Sequence, residues 1–302
     1  MNIKIVYHIM PWEIDYALLT FTQLKKSKYY LPEKVNITID SVLNLSSYLI
    51  DWDESKLPKE FFIEKYNQLL PLLKDYNHNS KIYDGDELYG HLDLQRDSIS
   101  SEFNYYMGIC PDIYFNEHVL SYLVKSLEHI EDEYFVLTPQ IPRMWDSTWD
   151  VLTNEKYMNH PNESWDSIDI FDIANDEHPL PTLTHLKNDM KWAGWFDIYS
   201  KSFFEKLVPI QPDWQGYGAW DFYSLNVVNM FKHLGGKVKQ YILNNQVIFE
   251  YCVGPLKTEE INGFSNYYKK FIKIIPNQGR NDFSETIQDK LKQRFSTLYD
   301  LL

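Results

Sequence analysis

Along the first 140 residues the spacing of apolar positions switches repeatedly between the period of a strand and that of a helix. Ile3-Lys4-Ile5-Val6-Tyr7 reads as a buried strand that Pro11 breaks, and a helix is expected over about 13–26. Lys34-Val35-Asn36-Ile37-Thr38-Ile39 alternates polar and apolar, the period-2 pattern of a strand. Residues 58–74 are amphipathic, with Pro58 suited to a first helical turn. Ser80-Lys81-Ile82-Tyr83 is a short strand closed by Asp84-Gly85-Asp86, and a helix is expected over about 94–103. Tyr105-Tyr106-Met107-Gly108-Ile109-Cys110 is a strand that Pro111 stops. Residues 117–130 put Leu120, Leu123, Val124 and Leu127 on one helical stripe, and Glu133-Tyr134-Phe135-Val136-Leu137-Thr138 is the next strand. Alternation of this kind implies an α/β fold with a mostly parallel sheet flanked by helices. In such sheets ligands bind outside the carboxyl ends of the strands. That makes residues 8–13, 40–44, 84–86 and the pair Pro111-Asp112 the candidates for chemistry.

The rhythm is lost over 145–190. Pro161, Pro179 and Pro181 and many Asp and Asn residues predict a long irregular excursion, a length that usually marks a lid or binding loop. Order resumes with an expected strand over 192–199 and a helix over 202–207. Gly216-Tyr217-Gly218 opens a helix to about 234, capped by Gly235-Gly236. Two strands (237–243 and 246–251) and two terminal helices (263–274 and 284–301) complete the reading. It divides the chain into a domain over 1–252, excursion included, and a C-terminal helical extension over 253–302 packed on it.

Composition narrows the function. The chain has 302 residues, 29 basic and 43 acidic, a net charge of −14. Residues 131–189 hold 3 basic and 13 acidic side chains, whereas 256–302 hold 8 and 6, so different faces suit different partners. The overall balance disfavours a protein that coats nucleic acid, which needs clustered Lys and Arg. No apolar run approaches the roughly 18 residues of a membrane helix. Two cysteines, Cys110 and Cys252, make no disulfide framework and read as buried thiols of a cytoplasmic protein. A Rossmann glycine fingerprint, a P-loop, a nucleophile elbow and a zinc-spaced Cys/His cluster are all missing.

Three segments resemble the GT-A-fold glycosyltransferases, the large family 2-type group above all. The opening strand runs into Pro11-Trp12-Glu13, similar to the family's first nucleotide-binding loop. Met107-Gly108-Ile109-Cys110-Pro111-Asp112-Ile113-Tyr114-Phe115-Asn116-Glu117 resembles the strand that ends in the family's DxD motif. Gly194-Trp195-Phe196-Asp197-Ile198-Tyr199-Ser200-Lys201-Ser202-Phe203, followed by Gly216-Tyr217-Gly218-Ala219-Trp220-Asp221, resembles the acceptor-side block, where a Gly-rich turn leads to a Glu-Asp pair. The resemblance covers residues 3–252. It departs twice: Cys110 stands for the first Asp of DxD, leaving Asp112, and Trp220 stands for the Glu of the pair, leaving Asp221.

The resemblance implies a GT-A-like, Rossmann-like domain that moves a hexosyl or pentosyl group from a nucleotide-diphospho-sugar, such as a UDP-sugar, to a hydroxyl of a carbohydrate or other acceptor. It implies direct displacement with inversion and Asp221 as base; the plain alternative for Asp221 is a helix cap. His8, Pro11, Glu13, Asn44, Arg96 and Asp112 would line the nucleotide sugar. Against that, Glu13 also suits a helix N-terminus, Arg96 a surface ion pair with Asp93 or Asp97, and Asp112 a turn. Asp112 is the one candidate ligand for Mn²⁺ or Mg²⁺, and the incomplete motif puts that metal in question. Trp145, Trp149, Trp195 and Trp220 suit stacking on a sugar or acceptor, with core packing as the alternative. Two rivals remain. One is a phage-type enzyme glycosylating hydroxymethylated bases in DNA, with a basic groove from Lys269, Lys270, Lys273, Lys290, Lys292 and Arg294. The other is a non-catalytic carbohydrate- or nucleotide-binding protein of the same fold.

Overall fold

The computed structural model describes residues 1–46, 57–86, 89–111, 113–140, 181–185, 196–208 and 237–250. The strands are β1 (Asn2–Ile9), β2 (Asn36–Asn44), β3 (Asn77–Tyr83), β4 (Tyr105–Ile109), β5 (Ile113–Phe115), β6 (Phe135–Gln140), β7 (Thr182–His185), β8 (Phe196–Ser200) and β9 (Lys239–Glu250). The α-helices are α1 (Ile14–Ser27), α2 (Lys59–Leu69), α3 (His91–Asp97), α4 (Val119–Ser126) and α5 (Lys201–Leu207). Among the described residues the strands form one sheet in the order β3-β2-β1-β4-β8-β6-β9-β5, with β7 paired to β9. β1 pairs in parallel with β2 and β4, β2 with β3, and β6 with β9, while β8 runs antiparallel between β4 and β6. The expected α/β class with a mostly parallel sheet is therefore borne out.

Where pattern and structure differ, the reason is local. β3 begins at Asn77, three residues before its apolar part, because an edge strand is held by backbone bonds to β2 and can stay exposed. α3 begins at His91 and ends at Asp97, earlier than expected at both ends. Gly90 N–H donates to the Asp93 carboxylate at 2.8 Å and so sets its start. The two strands expected after 237 are one, β9, running through Asn244-Asn245. The irregularity lies in β9 itself: Pro139 pairs with Leu243 and the next residue, Gln140, with Val247, so Asn244, Asn245 and Gln246 are extra residues opposite a single step of β6. Pro139, which has no N–H to donate, suits that break. Within the expected irregular excursion, Thr182–His185 is a strand, antiparallel to β9. The rest of the excursion, the helices after 216 and the whole 253–302 extension lie outside the described residues.

The two faces of the sheet differ. Ile3, Ile5, Tyr7 and Ile9 of β1 share one face with Ile37, Ile39, Met107, Ile109 and Ile198, and pack with α1, α2 and α4 into the main core. The opposite face of the same strands carries Lys4, His8, Asp40, Asn44 and Asp197. A small apolar patch of Val6, Val42, Tyr89 and Leu94 holds α3 there. Lys4, 6% exposed, pairs with Asp40 at 2.6 Å and lies over the Phe103 ring at 4.5 Å, so the polar face is neutralised by pairing. None of the described helices is long and apolar enough to cross a membrane.

Candidate functional site

The polar face reaches the carboxyl ends of β1 and β2 at His8 and Asn44, both fully buried. Asn44 organises this corner. Its Oδ1 accepts the Ser46 N–H at 3.1 Å, which fixes the orientation of the amide. Its Nδ2 then donates to the Tyr89 carbonyl and to His8 Nε2, at 3.1 Å from the latter. Because both amide hydrogens point outward, Nε2 of His8 must accept, and the ring proton of neutral His8 sits on Nδ1. That Nδ1 is buried and has no hydrogen-bonded partner among the described residues.

The His91 ring lies 4.5 Å from His8, centroid to centroid. Burial, then repulsion from His91, holds His8 well below the usual imidazole range, with the Tyr89 backbone opposing. Burial brings His91 down to about 4. Its place as the first residue of α3 adds to this, since a helix N-terminus disfavours a cation.

From Asn44 a chain of polar contacts runs into the helix. Asn44 holds the Tyr89 carbonyl, the next residue Gly90 donates to Asp93, and Asp93 pairs with Arg96 Nη1 at 3.2 Å. The ion pair foreseen for Arg96 with Asp93 is therefore present, but it uses one nitrogen. Among the described residues, Arg96 Nε and Nη2 are buried without a hydrogen-bonded partner, as are His8 Nδ1, the Ser46 hydroxyl and Gln95 Oε1, so this end of the sheet holds more unpaired donor nitrogens than unpaired acceptors.

Glu13 and Pro11 serve the backbone first. Pro11 opens a 3₁₀ turn, and the fully buried Glu13 reaches back to accept the Met10 N–H at 2.9 Å. The end of β4 is braced from behind. Thr20 on α1 faces the carbonyls of Pro111 and Ile113 at 2.6 and 2.9 Å, and Gln23 donates to the Phe115 carbonyl at 2.7 Å. Cys110, half-buried, follows directly on this strand. Asp112, Trp145, Trp149, Trp195, Trp220 and Asp221 lie outside the described residues.

The structure thus brings together His8, Asn44 and Arg96 from the expected set. It adds Tyr89, His91 and Asp93, which the sequence reading passed over. Their one readable signal was the Gly90-x-x-Asp93 spacing of a helix start. Among the described residues no three His, Cys, Asp or Glu side chains gather to hold a metal. Cys110 offers soft sulfur where Mg²⁺ or Mn²⁺ prefers oxygen, so this part of the site does not fit such an ion.

No protein-family model and no curated protein sequence matches the chain. Several solved structures do. The TarS 1–349 structure from S. aureus is 11% identical, with 98% of this chain and 71% of that one covered and a TM-score of 0.43. Glucosyl-3-phosphoglycerate synthase from Mycobacterium tuberculosis, in complex with phosphoglyceric acid, is 12% identical, with 92% and 81% covered and a TM-score of 0.42. GalNAc-T7 with UDP, GalNAc and Mn²⁺ is 13% identical, with 98% and 54% covered and a TM-score of 0.46.

Proposed function

We propose that the protein is a GT-A-type glycosyltransferase that binds a nucleotide-diphospho-sugar at the carboxyl ends of β1 and β2 and transfers its sugar to a hydroxyl acceptor. The observation that carries this reading is the surplus of buried donors there. Burying a donor without a partner costs about 1–3 kcal/mol, so a ligand rich in acceptors is the economical explanation. A nucleoside diphosphate is such a ligand: its phosphate oxygens suit the planar fork of Arg96 and a base carbonyl suits His8 Nδ1. The three segments that resemble the family support the same reading.

Glycosyl transfer requires the leaving diphosphate to be stabilised and the acceptor hydroxyl to be deprotonated. Arg96, fixed by Asp93, supplies positive charge for the first task. Asp221, after the Gly216-Tyr217-Gly218 turn, is the proposed base for the second, in a direct displacement that inverts the anomeric centre. A divalent ion would lend further charge to the leaving group, and Asp112 is the residue that would hold it.

Calorimetric titration with UDP and UDP-GlcNAc, the ligands of TarS in its complexes, is the first test. Arg96→Ala is expected to weaken UDP binding by about 10- to 100-fold, the usual worth of a hydrogen bond to a charged group. Because Arg96 sits in the last turn of a seven-residue helix and is partly exposed, stability should change little. Unchanged affinity in a folded variant would move the diphosphate elsewhere. Chelator is expected to leave UDP affinity within a few-fold, because Cys110 offers sulfur where Mg²⁺ or Mn²⁺ prefers oxygen. Complete loss of binding with EDTA, restored by Mn²⁺, would show that a divalent ion holds the diphosphate.

A further inference from the structure

A second polar group lies on the same face of the sheet, two strands away from His8. In register order across β1, β4 and β8, Val6 pairs with Gly108 and Gly108 with Asp197. β6 continues the row. Val136 and Leu137 pair with Tyr199 and Ile198, so the next residue, Thr138, falls beside Asp197. Asp197 and Thr138 are both 0% exposed. Asp197 accepts a short hydrogen bond from the Tyr199 phenol, which orients its carboxylate. The Thr138 hydroxyl is buried and has no hydrogen-bonded partner among the described residues.

Four neighbouring positions therefore hold an apolar residue, a glycine, a carboxylate and an unsatisfied hydroxyl. A packed sheet gains nothing from that sequence of groups. Burying a hydroxyl unpaired costs free energy that valine, its isostere, would avoid. A glycine inside a strand weakens it and often marks a close approach of a ligand to the backbone. Gly108 lies one residue inside the end of β4 and Thr138 two residues inside the end of the parallel-running β6, the ends at which ligands bind in sheets of this kind.

We infer that Asp197 and Thr138 form the floor of the subsite for the sugar ring of the donor, with Gly108 leaving the backbone bare between them and the nucleotide corner. This rests on the nucleotide-sugar reading above. A sugar hydroxyl both donates and accepts. Asp197 takes its proton as an acceptor-only carboxylate, and Thr138 can complete either half of the exchange. These two residues thus select the sugar, while His8 and Arg96 hold the nucleotide.

The experiment separates sugar from nucleotide. The affinities of UDP, UDP-glucose, UDP-GlcNAc and UDP-galactose are measured by titration calorimetry on the whole chain and on Thr138→Val, Thr138→Ser and Asp197→Asn. Thr138→Val is expected to melt no lower than wild type and to bind UDP equally well. Its affinity for the preferred UDP-sugar should fall about tenfold, as should its preference among the epimers. Thr138→Ser, which keeps the hydroxyl, should restore most of both. Asp197→Asn should lose at least as much of the sugar increment with UDP binding intact. A folded Thr138→Val or Asp197→Asn with an unchanged increment of UDP-sugar over UDP would overturn the inference and make the pair a packing feature. If wild type binds neither UDP nor any of the UDP-sugars, the donor reading itself fails, a different result from the selective failure of the variants.

Discussion

Asp221→Asn is expected to yield a folded protein that binds nucleotide normally and turns over 10²- to 10⁴-fold more slowly, the usual worth of general acid–base catalysis. The substitution is chosen because Asn caps a helix as well as Asp does. If Asp221 only caps the helix after Gly216-Tyr217-Gly218, stability and turnover both survive. If it is the base, turnover alone collapses, because the amide cannot accept a proton from the acceptor hydroxyl. Released nucleoside diphosphate, followed with saturating donor, reads the difference. Wild-type turnover in a folded variant would remove Asp221 from the mechanism and with it the argument for inversion.

The second large effect is on stability in acid. His8 and His91 are neutral in the folded protein, and their rings lie 4.5 Å apart. Both have pKa values lowered by burial, His91 to about 4 from 6.5, so the unfolded chain binds protons that the native chain refuses. Stability from this pair is complete above about pH 6.5 and is lost as pH falls towards 4. For His91 alone the loss at pH 5 is about 2 kcal/mol, and His8 adds to it in the same direction. Asp93, two residues along α3 from His91, is engaged with the Gly90 N–H and with Arg96. A steep fall in Tm between pH 7 and 5 is expected, and His91→Leu, which cannot take a proton, should flatten it. A melting temperature independent of pH in that range would show that the pair opens to water before it is charged. Protonating His8 Nε2 would also set a donor against the Asn44 amide, so nucleotide affinity should fall over the same range.

Much of the sheet was legible along the chain because its central strands are buried on both faces and short prolines and glycines bound them. Ile3 to Tyr7 and Tyr105 to Ile109 had to be core strands, since no other placement buries so many consecutive apolar side chains. The strand-end rule then pointed to His8, Pro11 and Asn44, while Arg96 came from the family resemblance; Asp112 lies outside the described residues. β3 was half hidden, because an edge strand needs backbone partners more than apolar residues. β9 was split in two, because Asn244-Asn245 looks like a turn until the shift at Pro139 is placed opposite it.

The site chemistry divides along the same line. Residue types and their order relative to strand ends are one-dimensional facts, and with the family resemblance they sufficed to nominate His8, Asn44 and Arg96. Whether a nominated group is free is a property of its neighbours in space. Asn44 spends both amide hydrogens on Tyr89 and His8, 45 and 36 residues away, and only that contact decides which imidazole nitrogen carries the proton. Arg96 was correctly paired with Asp93 by sequence proximity, yet its two idle nitrogens are known only from the packing around them. Asp197 and Thr138 are 59 residues apart and belong to segments with unrelated patterns. Their meeting follows from the insertion of antiparallel β8 between β4 and β6, a pairing that hydrophobic periodicity cannot specify because it records which face of a strand is buried and not which strand lies beside it.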